Sequence, residues 1–267
     1  MLSQDVRSFL SFHGIRLNTD LGQHFLLDQA ILDQTIAAAE LSPNDVVVEI
    51  GPGIGILTRE ILKTGAAVTA VEFDERLLPL LRAFCGFSPK LTALQGNALH
   101  VPLTLDHPYK IVANIPYHIT SPLLHRFFLE VPRLPSSMTL LIQKEVAETI
   151  YAETTESILT LLVRLFGTPR IVCSVPPSCF LPPPKVDSAV LHIANITSPF
   201  PDRTRVHAIL KLAKHAMSNR RKMLRNTLGS LPDGMALLAR AEIDPMRRPE
   251  HLTPAEWMRL EQMFSAR

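Results

Sequence analysis

The feature that most constrains this chain is a glycine-rich turn held between an apolar run and an amphipathic one. Val46–Ile50 reads VVVEI, Gly51-Pro52-Gly53-Ile54-Gly55 follows, and Ile56–Lys63 then takes helical spacing. A buried strand, a tight turn and a helix open an α/β sheet, with the turn placed where backbone can approach a ligand. The pattern recurs. Ala67–Glu72 predicts a second strand and Glu75–Phe84 a helix. Further strands are expected over Leu91–Gln95, Lys110–Ala113 and Met138–Gln143, with helices over Thr120–Phe128 and Glu156–Phe166. A helix over Asp28–Glu40 precedes the first strand. Apolar strands alternating with helices predict a parallel, doubly wound α/β sheet with helices on both faces.

The texture changes at Pro169. Six prolines fall within Pro169–Pro184, which predicts a rigid loop between short strands. Lys185–Ile193 alternates as a late strand, and Asn195–Asp202 reads as a linker. Beyond it the chain reads as helical: Thr204–Met217, Arg220–Leu228, and a last helix begun by Thr253, with Glu256 completing a capping box. Two domains are expected, residues 1–196 and a small all-α part over 197–267. Hydrophobic residues make up 46% of the chain, enough for a packed core and against disorder. The three cysteines have no zinc spacing, so neither a disulfide framework nor a metal site is expected. No apolar run suits a membrane span and the start lacks a signal-peptide core, so a cytoplasmic protein is expected.

Charge divides at the same boundary. Eight of the 27 basic residues lie in Arg203–Arg225 with no acid among them; the other 19 face 25 acids, a net of −6. Such clustering is either a phosphate-binding footprint or a solvated helix face.

Glu49 lies just upstream of the glycine turn, whose spacing is GxGxG and not the GxGxxG of dinucleotide folds. A pyrophosphate would be poorly served by that carboxylate, whereas a sulfonium cation would be favoured by it. Glu72 ends the next strand, where a carboxylate can accept both hydroxyls of a ribose. The pattern points to S-adenosylmethionine in preference to NAD. A second motif, Asn114-Ile115-Pro116-Tyr117, follows the fourth strand at the sheet edge where ligands of open α/β folds bind. An adenine amine is a poor nucleophile because its lone pair is delocalised into the ring. Neutral oxygens that accept its N–H bonds push the nitrogen toward tetrahedral geometry, and an Asn side-chain carbonyl beside a backbone carbonyl supplies them. Pro116 would fix the loop, and Tyr117 could stack on a base taken out of its helix.

These residues resemble the small-subunit ribosomal RNA adenine dimethyltransferase family, in order over nearly the whole chain. The matching pieces are LGQHFLLD (Leu21–Asp28), VEIGPGIGILT (Val48–Thr58), VEFD (Val71–Asp74), QGNAL (Gln95–Leu99), ANIPYHITSPLL (Ala113–Leu124), IQKEVAE (Ile142–Glu148), VPPSCFLPPPKVDSAVL (Val175–Leu191), NRRKMLRN (Asn219–Asn226) and RRPEHLTPAEW (Arg247–Trp257). The resemblance implies a Rossmann-like S-adenosylmethionine-dependent methyltransferase with a C-terminal helical domain. It would dimethylate N6 of two adjacent adenines near the 3′ end of 16S rRNA, late in small-subunit (30S) biogenesis, without a metal and as a monomer. His24 and Leu26 would cover the methionine end of the cofactor, Gly51 contact it, Glu72 hold the ribose and Asn97 the adenine. Asn114 would close the cofactor site and bind the target amine, with the Ile115 carbonyl beside it. Tyr117 and Phe180 would bracket the flipped adenine, and Arg220, Arg221, Lys222, Arg225 and neighbours would dock on rRNA phosphates. Two positions depart from the family, which usually carries Asn at His24 and Asp at Asn97. Two rivals remain: a macrolide-resistance type acting on a large-subunit adenine, against which NRRKMLRN and RRPEHL speak, and a binding module that checks subunit assembly.

Overall fold

The computed structural model describes residues 2–15, 17–19, 22–103, 106–155, 157–219 and 221–265, Ser3 by its backbone alone. Its strands are β1 (Phe25–Leu26), β2 (Val46–Ile50), β3 (Ala67–Glu72), β4 (Leu91–Gln95), β5 (Lys110–Asn114), β6 (Met138–Gln143), β7 (Thr168–Val175), β8 (Phe180–Leu181) and β9 (Ser188–Ala194). Its helices are α1 (Leu2–Phe12), α2 (Gln29–Ala39), α3 (Ile56–Lys63), α4 (Leu78–Phe84), α5 (Thr120–Leu129), α6 (Lys144–Tyr151), α7 (Ile158–Phe166), α8 (Thr204–Met217), α9 (Gly234–Arg240) and α10 (Pro254–Ser265). Seven strands form one sheet in the order β4-β3-β2-β5-β6-β9-β7, and β1 pairs with β8 apart from it.

The first five strands of that order run parallel, with Val46 beside Ala67, Val48 beside Ile111 and Ile111 beside Met138. The sheet is not wholly parallel as the sequence pattern predicts. β9 lies antiparallel to β6, Met138 opposite Ile193. It enters from the proline-rich loop and not from a crossover helix, and an apolar strand reads alike in both directions. The loop is also shorter than expected, because Thr168–Val175 forms an edge strand in which Pro169 needs no ladder donor.

Alternation along the strands explains the two covered faces. Val47, Val68, Val112, Leu141 and Val190 share one buried cluster with Val6, Leu32 and Ile61 from α1, α2 and α3. Their neighbours Val48, Ile111, Leu140 and Leu191 point the other way and are equally buried. Each such side chain contributes about 1.5–3 kcal/mol on burial. α2 begins where Asp28 accepts from the Ile31 N–H at 3.2 Å, an N-cap that leads the chain from β1 into the sheet.

The chain folds as two compact units, Met1–Ala147 with Pro169–Ile196, and Glu148–Thr168 with Thr197–Arg267. The sequence reading kept Glu148–Thr168 in the first part. The structure gathers it into the second, where α7 packs against α8 and α10, and Thr155 N–H and Oγ1 donate to the Glu250 and Leu252 carbonyls. In the second unit Trp257 is fully buried, and the capping box of α10 forms, with Thr253 N–H donating to Glu256 at 2.7 Å. Of the helix expected over Arg220–Leu228, Arg220 lies outside the described residues, and residues 221–228 form no α-helix. Leu224 and Arg225 donate their N–H groups to the Arg247 and Pro245 carbonyls, and the described residues there form two short 3-10 turns, Leu224–Asn226 and Leu228–Ser230. No helix among the described residues is long and apolar enough to cross a membrane.

Candidate active site

Two cavities open at the carboxyl ends of the parallel strands in the first unit, about 210 and 190 Å³ in volume. The larger is walled by the turn after β2, the ends of β3 and β4, and the segment leading into β1. It brings together all six residues expected to bind a cofactor: His24, Leu26, Gly51, Glu72, Asn97 and Asn114. The smaller is lined by His24, Asn114, Ile115 and Tyr117 among others. Gly22, His24, Asn114 and His118 line both, so Asn114 stands on the boundary.

Each side chain is held by a named contact. Glu72 accepts from the Gly53 N–H through Oε2 and from the Asp74 N–H through Oε1, both at 2.9 Å. Those bonds leave lone pairs on both oxygens for further donors. Burial raises the Glu72 carboxyl above the usual carboxylate range, against the pull of these backbone bonds. Glu49 is 1% exposed, and its Oε2 has no hydrogen-bond partner. Burial pushes its carboxyl up to about 8; the Thr58 hydroxyl lowers it in part, and the Glu72 charge raises it. Asp74 takes the opposite course. Arg76 grips both its oxygens, at 2.8 and 2.6 Å, and Gln23 donates at 3.0 Å, so it sits near 2. Gln23 thereby ties the segment before β1 to the end of β3.

Asn114 ends β5 and donates from Nδ2 to the His24 carbonyl at 3.0 Å. That bond orients the amide and leaves Oδ1 as its free acceptor. The Ile115 N–H donates to the Leu141 carbonyl at 3.1 Å, extending the β5–β6 pairing into the loop. Tyr117 shares a 2.6 Å hydrogen bond with the Ser188 hydroxyl, and burial raises its phenol above the ordinary value. Its ring lies nearly parallel to that of His24, at 12° and 6.4 Å between centroids. Pro116 lines the larger cavity and packs where a Cβ on Gly22 would stand, 2.8 Å away. Asn97 is exposed, and its Oδ1 accepts from the Leu99 N–H at 2.9 Å, which leaves one lone pair for a ligand.

Phe180 is placed differently from the sequence expectation. It is 5% exposed, pairs with Leu26 across β1 and β8, belongs to the apolar core, and lines neither cavity. The ring facing Tyr117 is that of His24. Sequence reasoning also passed over Gly53, Asp74, Pro182 and Ser188, which bond Glu72, His24 and Tyr117, and Gln23, which bonds Asp74. All lie inside the quoted motifs, but which residue each one grips is a matter of tertiary contact.

The basic stretch lies in the second unit. Arg221, Lys222 and Arg225 are exposed, while Arg220 falls outside the described residues. Arg205 is already engaged: its Nη2 is 2.6 Å from Glu261, and its guanidinium lies 4.0 Å over the Phe200 ring.

The cavity residues suit S-adenosylmethionine. Glu72 offers free lone pairs where a ribose would lie, and Glu49 offers a buried carboxyl with an unpartnered oxygen beside the glycine turn. Fold and site together define a Rossmann-like methyltransferase. The chain belongs to the ribosomal RNA adenine dimethylase family, which it matches over residues 14–266. It is 40% identical to the ribosomal RNA small subunit methyltransferase A of Dehalococcoides mccartyi (strain CBDB1), covering 97% of this chain and 92% of the relative. The protein of the same name from Parasynechococcus marenigrum (strain WH8102) is 42% identical over 94% and 88%. Among solved structures, a dimethyladenosine transferase from Plasmodium falciparum is similar with a TM-score of 0.78 at 27% identity, over 90% of this chain and 96% of that one. The 23S rRNA methyltransferase ErmE is similar with a TM-score of 0.72 at 26% identity, over 90% and 99%.

Proposed function

We propose that this chain dimethylates N6 of two adjacent adenines near the 3′ end of 16S rRNA in the small ribosomal subunit, with S-adenosylmethionine as donor. Bound in the larger cavity, that cofactor supplies an electrophilic methyl group on a sulfonium. Glu72 accepts the ribose hydroxyls, Asn97 meets the adenine through its remaining lone pair, and Gly51, Leu26 and His24 enclose the methionine end. Glu49, whose carboxyl burial pushes up to about 8, becomes negative as the sulfonium beside it favours the ionised form. The target base enters the smaller cavity and stacks on Tyr117. Asn114 Oδ1 accepts one N6–H and the Ile115 carbonyl the other, which frees the nitrogen lone pair for attack. The observation that carries this reading is Asn114 on the boundary of both cavities, its amide already oriented by the His24 carbonyl. Arg221, Lys222, Arg225 and the undescribed Arg220 dock on rRNA phosphates and set register, while the base-contacting residues read the target. The enzyme works as a monomer in the cytoplasm.

The test is methyl transfer from labelled cofactor to unmethylated small subunits, large subunits and free rRNA, with digestion and mass spectrometry of the product nucleosides. Dimethyladenosine confined to small-subunit RNA is expected. Product on large-subunit RNA would move the chain to the macrolide-resistance type. Tight subunit binding without transfer would make it a binding module.

A further inference from the structure

Arg126 lines neither cavity, yet it holds part of the wall of the larger one. It belongs to α5 and is 8% exposed. Its Nη1 donates to the Ala98 carbonyl, and its Nη2 to the Val101 carbonyl at 2.5 Å. Burial lowers the guanidinium pKa, so the charge is kept here against a cost of desolvation. A buried charge is weak evidence for stability by itself. What a guanidinium does that an apolar side chain cannot is fix two carbonyls with one rigid fork. Those two carbonyls belong to the turn after β4, in which Gly96, Asn97, Ala98 and Leu99 line the larger cavity. The turn is closed on Asn97. The His100 and Val101 N–H groups donate to the Asn97 carbonyl, both at 2.8 Å, and the Leu99 N–H donates to its side chain at 2.9 Å. Such bonds shape the turn but do not attach it to its neighbours. At its near end the Gly96 N–H donates to the Glu72 carbonyl of β3 at 2.9 Å, and at its far end Arg126 ties it to α5. Asn97 lies between the two anchors.

We propose that Arg126 is a positioning residue for the cofactor's adenine, fixing the turn after β4 so that Asn97 meets the purine amine. The inference rests on the reading above in which Asn97 holds that adenine. With the fork in place, Asn97 Oδ1 keeps its bond to Leu99 and turns its remaining lone pair to the ligand. Without the fork, the Ala98 and Val101 carbonyls lose their donors, and the turn shifts to find others. The loss falls on the adenine end of the cavity. Asn114, Ile115 and Tyr117 have anchors of their own, in the His24 and Leu141 carbonyls and the Ser188 hydroxyl. The geometry of methyl transfer therefore survives the change, and the grip on the cofactor does not.

The test compares wild type with Arg126→Met, which keeps an unbranched side chain but removes its donors. Arg126→Lys is measured beside it, since it keeps the charge and offers a single ammonium in place of the fork. Steady-state transfer to unmethylated small subunits gives kcat and the KM for S-adenosylmethionine. Calorimetry gives the affinity for S-adenosylhomocysteine and for S-inosylhomocysteine, in which a carbonyl replaces the purine amine. Wild type should prefer the adenine ligand by about tenfold or more, the worth of a lost hydrogen bond. Arg126→Met should raise the KM by about tenfold with kcat within about twofold, and should bind the two sulfides within about threefold of each other. Arg126→Lys should fall between it and wild type. Asn97→Ala should erase the same preference, and Arg126→Met added to it should change that preference no further. Variants that keep the wild-type KM and preference overturn the proposal. So does an equal weakening toward both sulfides, which is what a general loosening of the fold would give. If Arg126→Met does not fold, Arg126→Lys decides by the same two readouts. Wild type that binds both sulfides alike while still transferring methyl would overturn the placing of adenine at Asn97, and this inference with it.

Discussion

Gly53→Ala tests whether the glycine turn, the β1 segment and Glu72 act as one unit. Gly53 has φ +61° and donates its N–H to Glu72 at 2.9 Å. A Cβ there would stand 2.6 Å from Phe25 Cε1 and 3.2 Å from Cζ. Two costs add. The left-handed backbone costs a non-glycine residue about 1–2 kcal/mol. The Phe25 ring is 7% exposed and sits in the β1–β8 pair, so it cannot swing aside; relieving such overpacking costs about 1–3 kcal/mol. The sum is about 2–5 kcal/mol of stability. Gly86→Ala is the control, because φ there is +63° but nothing lies within 4 Å of the added carbon. It should cost only the first part, about 1–2 kcal/mol. If the turn yields instead of the ring, the Gly53 N–H leaves Glu72. The cofactor then binds about tenfold more weakly, the worth of one charge-assisted hydrogen bond. Urea unfolding of both variants and calorimetric titration with S-adenosylmethionine make the comparison. Equal unfolding midpoints for the two variants, with wild-type affinity in Gly53→Ala, would refute the reasoning, since Phe25 would then have room to spare.

Three further outcomes follow from named contacts. Asn114→Ala removes both the proposed acceptor for N6–H and the bond to the His24 carbonyl; transfer should fall by about 10²–10³ with small-subunit binding retained, measured by filter binding beside the transfer assay. Replacing Arg221, Lys222 and Arg225 together by Ala should lower the slope of log affinity against log salt by about 2, since each lost phosphate contact removes about 0.7–0.9; an unchanged slope would show that these side chains only face solvent. Glu256 is held near pKa 2, first by Arg247, whose Nη1 lies 2.5 Å away, against a model-compound value of 4.5. A depressed folded-state value stabilises above the unfolded value and is lost as pH falls, so wild-type stability should drop between pH 4.5 and 2. With Glu256 14% exposed and Arg247 a third exposed, Glu256→Gln should cost about 2–3 kcal/mol at neutral pH and flatten that drop, read from urea midpoints against pH.

What the sequence made legible is what depends on local order. Glu72, Gly51 and Asn114 could be placed because each ends or follows an apolar strand, and the carboxyl ends of parallel strands converge at one edge of the sheet. The capping box of α10 was legible for the same reason, since Thr253 and Glu256 meet within one helical turn. What failed depends on partners far along the chain. Arg220–Leu228 carries good helical spacing, yet the N–H groups of Leu224 and Arg225 find carbonyls at 245 and 247, a choice invisible in a short window. α7 has an apolar face as suitable for a sheet as for other helices, and only tertiary packing assigns it to the second unit.

Phe180 and His24 show the same limit within the site. Both stand in motifs that carry the family resemblance, and the resemblance implies the phenylalanine as the second face of a base clamp. Pairing of β1 with β8 places the two side chains differently. It sets Leu26 opposite Phe180 and buries the phenyl ring in the cluster that holds Val175 and Val190, while His24, immediately before β1, is left in the cavity wall. For the phenyl ring to meet a base it would have to leave that cluster, at a cost comparable to the about 1.5–3 kcal/mol gained by burying it. Tyr117 needs no such change, because Ser188 already fixes its hydroxyl with the ring against the smaller cavity. The residue that departs from the family pattern is therefore the one that this fold leaves in the wall common to both cavities.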